Sequence, residues 1–537
     1  MVEYSPIQLE VYKHLFASIA EEMGVVLRRS AYSPNIKERR DFSCALFNAK
    51  GEMVSQAAHI PVHLGSMPLS VAAVIADAGP AGFHPGDMFI LNDPYRGGTH
   101  LPDITLVAPV FNGSSAGDRP LAFVANRAHH ADVGGMMPGS MPVAREIYQE
   151  GLIIPPTRLV AGGVINEGML GLILANVRTP QERRGDLHAQ IAANRRGMNR
   201  LSEMLRRYGH DEVTRYMDAL LAYTERMVRQ LVASIPDGDY SFTDALDDDG
   251  LGHRHIPIHV TVTIAGDTAT VDFTGTAPQQ EGSINAVYAI TLSAVYYVFR
   301  CLVGLDVPNN SGCLAPVTVI APAGSLVNAA KPSPVAGGNV ETSQRIVDVL
   351  LGALAQAVPE RVPAASQGTM NNVTIGGLDS RTMLPYTYYE TIGGGMGARP
   401  GKDGASAVHS HMTNTLNTPV EALEYACPLR VRRYEIIDST GGAGRYTGGN
   451  GIRRDIQMLG DAQISLLTER RQSQPYGLDG GEPGAPGSNW LIRNGAESML
   501  PAKDTIHLHE RDILSIRTPG GGGFGANEPA GRSETRE

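Results

Sequence analysis

LNDPYRGGTHLPDIT at residues 91–105 and NRAHHADVGG at residues 126–135 carry most of the readable chemistry of this chain. Together they place Asp93, His100, Asp103, His129, His130 and Asp132 within one 40-residue window. Imidazole and carboxylate are ligand types that suit zinc, manganese and iron. Each stretch follows a short apolar run, residues 87–92 and 121–126, of the kind that forms a buried strand. The pattern predicts a mixed α/β fold in which two strand ends build one metal site. No thiolate takes part, which points to a catalytic or substrate-orienting centre and away from a structural one.

Within these clusters, local geometry narrows the candidates. Pro102 between His100 and Asp103 argues against a helix there, and on a loop or strand both side chains can still reach one ion. In an extended chain His129 and His130 point to opposite faces, so one of the two is expected to ligate. His130 shares a face with Asp132 by the i, i+2 rule, which favours His130 slightly over His129. A further pair, His59 and His63, has the i, i+4 spacing of zinc-binding helices. Pro61 and the missing glutamate spoil the match to HExxH, leaving a buried turn as the plainer reading.

Outward from the clusters, residues 5–28 read as an amphipathic helix. Ser5 is the cap, Pro6 the first helical residue and Gln8 the far side of a capping box. Residues 44–55 read as a hairpin, 67–78 as a helix, 184–208 and 213–235 as two amphipathic helices, and 239–281 as strands with a turn at Gly266. Helices follow at 285–304 and 344–357. Beyond residue 428, short strand candidates separated by glycine turns predict a β-rich C-terminal region. The expected organisation is α+β and multi-lobed: 1–236 with the metal site, 237–427, a β-rich lobe 428–525, and a flexible tail 526–537.

The 537 residues carry a net charge of −10, 42% hydrophobic and 19% charged residues. An acidic balance argues against a nucleic-acid partner. Four scattered cysteines without a CxxC exclude a disulfide framework. No signal pattern opens the sequence, and no run approaches the ~20 apolar residues of a membrane span, so a cytoplasmic location is expected. Residues 272–276 (DFTGT), 438–442 (DSTGG) and 519–525 (PGGGGFG) are imperfect phosphate loops. Tight turns and backbone packing explain them better than nucleotide binding. GGGMG at 393–397, followed by HSHMTN at 409–414, reads either as a ligand-approaching segment or as a crowded turn.

Several long stretches resemble the hydantoinase B/oxoprolinase B family. They are AYSPNIKERRDFSCALFNAKGEMVSQAAHIPVHLGSMP (31–68), GDMFILNDPYRGGTHLPDITLV (86–107), AHHADVGGMMPGSMP (128–142) and REIYQEGLIIPP (145–156), with GSINA (282–286), ETIGGGMGARPGKDG (390–404) and TPGGGGFG (518–525) later. The resemblance implies a B subunit that completes ring opening of a hydantoin, 5-oxoproline or lactam at a zinc or manganese site. It also implies a hydantoinase A/oxoprolinase A-type ATPase partner that binds the ATP, in a hetero-oligomer such as α2β2. Ketone carboxylase subunits share this resemblance, and a non-catalytic assembly subunit is the reading of another class. Carried over, the metal ligands are His100, Asp103 and His130 or His129, with His59 and His63 lining the same cavity. Asp132, Glu146 and Glu150 are the carboxylates available as a base.

Overall fold

The computed structural model describes residues 5–57, 59–79, 82–111, 119–304 and 306–526. Residues 527–537 of the expected tail lie outside them. Helix α1 (Pro6–Ser30) starts where the sequence predicts: the Ser5 hydroxyl accepts from the Gln8 amide, and Arg28 and Arg29 occupy its last turn. The capping box is not reciprocal, because the Gln8 side chain accepts from the Tyr216 hydroxyl. Leu9, Tyr12, Phe16, Ile19, Met23 and Leu27 form the buried stripe.

The first sheet has seven antiparallel strands: β1 (Phe42–Asn48), β2 (Met53–Gln56), β3 (Met88–Leu91), β4 (Asp103–Val110), β5 (Ala122–His129), β6 (Thr157–Ala161) and β7 (Val164–Ile165). Their order is β2-β1-β5-β4-β3-β6-β7. Antiparallel sheets often leave one face to water. Here β1, β4 and β5 are buried along their whole length. Four further helices explain this: α2 (Pro34–Lys37), α3 (Ser66–Ala78), α4 (Glu167–Ala175) and α5 (Pro180–Tyr208). Helices α1 and α5 pack together on the sheet, and α3 packs on β4 and β5. The two sides are marked by polar ties. Asn126 of β5 bonds Gln190 and Asn194 of α5, whereas its neighbour Arg127 bonds Ser66 and Ser70 of α3. One stretch, Pro61–Ala78, is long and apolar enough to cross a membrane by composition, but it is α3 with the turn before it, half buried within the fold.

Helix α6 (His210–Ala233) precedes a second sheet of β8 (Gly238–Asp248), β9 (Arg254–Ala265), β10 (Thr268–Asp272) and β11 (Val317–Ile320), with the expected turn at Gly266. Helices α7 (Tyr288–Val303) and α8 (Ser343–Leu354) pack on each other. Two antiparallel sheets complete the molecule. One runs β13 (Leu384–Glu390), β12 (Asn372–Asp379), β16 (Ala462–Leu467), β19 (Lys503–Leu508). The other, beside α9 (Val420–Ala426), runs β14 (Leu429–Ile436), β15 (Ile452–Met458), β20 (Ile513–Arg517), β17 (Ser488–Arg493), β18 (Ala496–Leu500).

Pairing of β12 with β16 carries one sheet across residue 427, so that expected lobe limit is not a limit of strand pairing. Strand β12 is unreadable in the sequence because Gly376 and Gly377 sit inside it like a turn. The reason is packing: a Cβ on Gly376 would lie 2.2 Å from Pro138.

The glycine loops are also settled by packing. A Cβ on Gly395 would lie 2.0 Å from the Gly449 carbonyl, and one on Gly521 would lie 2.1 Å from the Met396 carbonyl. Backbone meets backbone at 393–397 and 519–525, so the crowded-turn reading holds there.

Candidate metal centre

Asp103 opens β4 and His129 closes β5, and the two are register partners across the antiparallel pair. Directly opposed residues share a face, so both side chains point to the α3 side. The connection from β3 to β4 returns His100 to the same point. Asn92 anchors it by donating to the carbonyls of Leu101 and Leu152 and accepting from the Ile154 amide. Asp93, a candidate ligand by residue type, instead caps the turn that follows, accepting from the Tyr95 amide at 3.0 Å. Gly97 then takes the left-handed conformation, with φ 90°, where a Cβ would strike the Leu69 carbonyl.

The result is a carboxylate surrounded by imidazoles. His100 Nε2 lies 3.2 Å and His129 Nδ1 3.4 Å from Asp103 Oδ1. On the other oxygen, Thr99 donates at 2.6 Å and His63 Nε2 lies at 3.3 Å. The Ser43 hydroxyl holds His63 Nδ1 at 2.8 Å. One ligand-type atom from each of His100, Asp103 and His129 falls within 4.8 Å of the others, all buried. Asp103 and His129, with His63, border a cavity of about 20 Å³, walled also by Asp41, Asn339, Met370 and Tyr389. That is room for roughly one ion or water. Two buried ring nitrogens, His100 Nδ1 and His129 Nε2, have no partner. The Tyr389 ring stacks on His129, with centroids 4.0 Å apart, and fixes its plane.

The electrostatics suit a cation. Burial by itself would raise the Asp103 carboxyl, but the charge of His100 and the hydrogen bonds from His100, His129 and His63 outweigh it and hold the group well below the usual carboxylate range. Burial pushes His63 and His129 down, towards the neutral form. Ionised carboxylate and neutral imidazole are the protonation states a metal requires. Burial raises Asp41, whose carboxyl is left beside His129, His100 and Asp103. Two nitrogen donors with carboxylate oxygens, enclosed and desolvated, therefore fit a divalent ion such as zinc or manganese.

Other expected site residues lie elsewhere. His130, favoured over His129 from the sequence, faces α5: its Nε2 sits 2.9 Å from Gln190 Oε1, beside Arg183 and Asp186. His129 is still within β5 and takes the face of its register partner Asp103, which reverses that preference. Asp132 is on the same side as His130, as expected, but its carboxylate accepts from the amide and guanidinium of Arg178 at 2.7 and 2.8 Å. It does not reach the cavity. His59 accepts from the Cys44 amide and packs edge-on against Phe42, outside the cavity that His63 lines. Glu146 is exposed at the start of a short turn. Glu150 is buried and accepts from the amides of Val335 and Ala336, bracing the segment before Asn339. Sequence reasoning missed Asp41 and Asn339 as cavity walls. Asp41 lies within the quoted stretch 31–68 and was findable there, whereas Asn339 comes from a distant element without a motif of its own.

A mixed α/β protein with a buried His–Asp–His group able to hold a metal ion is the class this fold and site define. Within that class, the chain belongs to the hydantoinase B/oxoprolinase family, whose profile matches residues 5–527. It is 41% identical to 5-oxoprolinase 1 of Arabidopsis thaliana over 97% of this chain, and spans 42% of that relative's length. Among solved structures, it resembles the ATP-dependent caprolactamase of Pseudomonas jessenii with a TM-score of 0.90 and 30% identity, covering 97% of this chain and 91% of that one. An acetone carboxylase shares the fold at a TM-score of 0.87 and 20% identity, covering 97% of this chain and 76% of that one.

Proposed function

We propose that this chain is the B-type subunit of an ATP-dependent cyclic amide hydrolase, opening a hydantoin, 5-oxoproline or lactam ring. The observation that carries the reading is the buried His100–Asp103–His129 group beside a small cavity that Asp103 and His129 line. Its family and its likeness to a caprolactamase support the substrate class. An unstrained amide resists hydrolysis. Phosphorylation of its carbonyl oxygen by ATP, on an A-type partner, makes the ring carbon a better electrophile. His100, Asp103 and His129 would hold a zinc or manganese ion, with Asp41 completing the donor set. Such an ion supplies Lewis acidity and a lowered pKa for water. This chain's own residues orient the site: Thr99 and His63 fix the Asp103 carboxylate, Ser43 fixes His63, and Tyr389 fixes the His129 plane. Val62, Met370 and Met412 make the wall apolar and exclude bulk water.

The test is reconstitution. The chain is purified with an A-type ATPase partner, its metal content is measured, and ATP-dependent ring opening is assayed on 5-oxoproline, hydantoin and caprolactam. Turnover of one of them with zinc or manganese bound is expected. Product formed only from a ketone with bicarbonate would overturn the hydrolase reading in favour of carboxylation.

A further inference from the structure

Behind the metal cavity lies a second one, of about 370 Å³, bordered by Arg28, Arg29, Arg40, Phe42, His59 and Asn414. The two cavities share their wall. Asp41, Ile60 and Thr413 line the metal side, while their chain neighbours Arg40 and Phe42, His59, and Asn414 line this one. Three guanidinium groups border the pocket against one carboxylate, that of Glu21. Among the described residues, none of the three arginine side chains has an ion-pair or hydrogen-bond partner within the fold; Arg29 and Arg40 are exposed and Arg28 half-buried, so the pocket is open to solvent. Arg40 also sits in the left-handed region, with φ 59°. A non-glycine residue there costs about 1 kcal/mol, a strain found at ligand-binding positions. Helix α1 comes close enough to form the pocket because residue 24 is glycine: a Cβ there would lie 2.6 Å from the His59 ring.

We propose that this pocket binds a phosphoryl dianion, back to back with the metal cavity. Planar guanidinium groups pair with phosphate oxygens through two parallel hydrogen bonds, and several around one pocket select a doubly charged anion over chloride. The proposed function supplies two sources, the phosphorylated substrate and the phosphate released from it, and the inference rests on that reading for the source alone.

The test needs no turnover. Inorganic phosphate and acetyl phosphate are titrated by calorimetry into the metal-loaded chain, at constant ionic strength in chloride. The variants are Arg40→Gly, which suits the left-handed backbone, and the double change Arg28→Ala with Arg29→Ala. Saturable binding to the wild type is expected, weakened at least about tenfold in both variants, with metal content unchanged. Tighter binding of acetyl phosphate would assign the pocket to the phosphorylated substrate, and tighter binding of phosphate to the released product. Absence of saturable binding, or equal binding in the variants, overturns the proposal. So does a lower Tm without weaker binding, since the arginines would then only support the end of α1. If binding behaves as expected while ring opening fails, the phosphoryl site stands and the hydrolase reading falls.

Discussion

His129 and His130 are adjacent, both buried, and face opposite sides of one sheet. On the His129 side, an aspartate lies among three imidazoles, two ring nitrogens lack partners, and a small cavity adjoins them. On the His130 side most donor atoms of the same types are committed: His130 Nε2 to Gln190, with its Nδ1 buried and unpartnered, Asp132 to Arg178, and Asp186 to Arg183 and the amides of Tyr32 and Ser33. A ligand-type residue becomes a candidate ligand only where several donors converge beside a space, as His100, Asp103 and His129 do; one unpartnered nitrogen, as on His130, does not make a site. Where arginines and backbone amides already saturate it, the same residue type holds helix α5 to the sheet.

Substitutions on the two sides should separate cleanly. The largest effect belongs to Asp103→Ala or His100→Ala. Either should lower metal affinity by more than the roughly 10–100-fold that loss of a supporting partner costs. Metal per chain after dialysis against a chelator reads this directly, and an unchanged ratio would break the distinction between the faces. Next is Asp132→Asn, which removes the charge facing Arg178 from a buried position. A loss of about 3 kcal/mol in urea unfolding is expected, with metal content intact. His130→Ala should cost about 1–3 kcal/mol by leaving the Gln190 Oε1 without its donor, again with full metal loading. If His130→Ala empties the site instead, the assignment of faces is wrong.

The last effect is a slope with pH. Burial pushes the Glu150 carboxyl from 4.5 up to about 8, against the two amide bonds that favour ionisation. Between those values the folded chain holds a proton that the unfolded chain has lost. Stability therefore falls as pH rises from about 4.5 to 8 and levels off above. Glu150→Gln should flatten that decline, as urea midpoints at pH 5 and pH 8 would show. A variant that keeps the wild-type decline would place its origin elsewhere.

Much of this was legible in the sequence. Period-3.6 stripes located α1, α5 and α6, and apolar runs beside glycine located β3 and β5. The motif HLPD brought His100 and Asp103 forward together, and the fold keeps them side by side, because a turn that returns a residue over a strand start is a local event. Which of His129 and His130 lies beside Asp103 was not readable, because it depends on where β5 ends and on its register with β4. Strands β12 and β13 were missed because Gly376 reads as a turn until Pro138 is seen packing against it. Asn339 and Tyr389 reach the cavity from more than 200 residues away in the chain, beyond any spacing rule.

The sequence by itself determined the donor types, the absence of thiolates, the family resemblance and most helices, since these follow from composition, periodicity and local motif. Only the tertiary structure decided which face of β5 carries the His–Asp–His group, that Asp41 and Tyr389 line the adjoining cavity, and that Asp132 and Glu146 do not. Periodicity says only that neighbours in a strand diverge. Which neighbour meets a cavity and which meets an arginine is set by register and by the helices that cover each face.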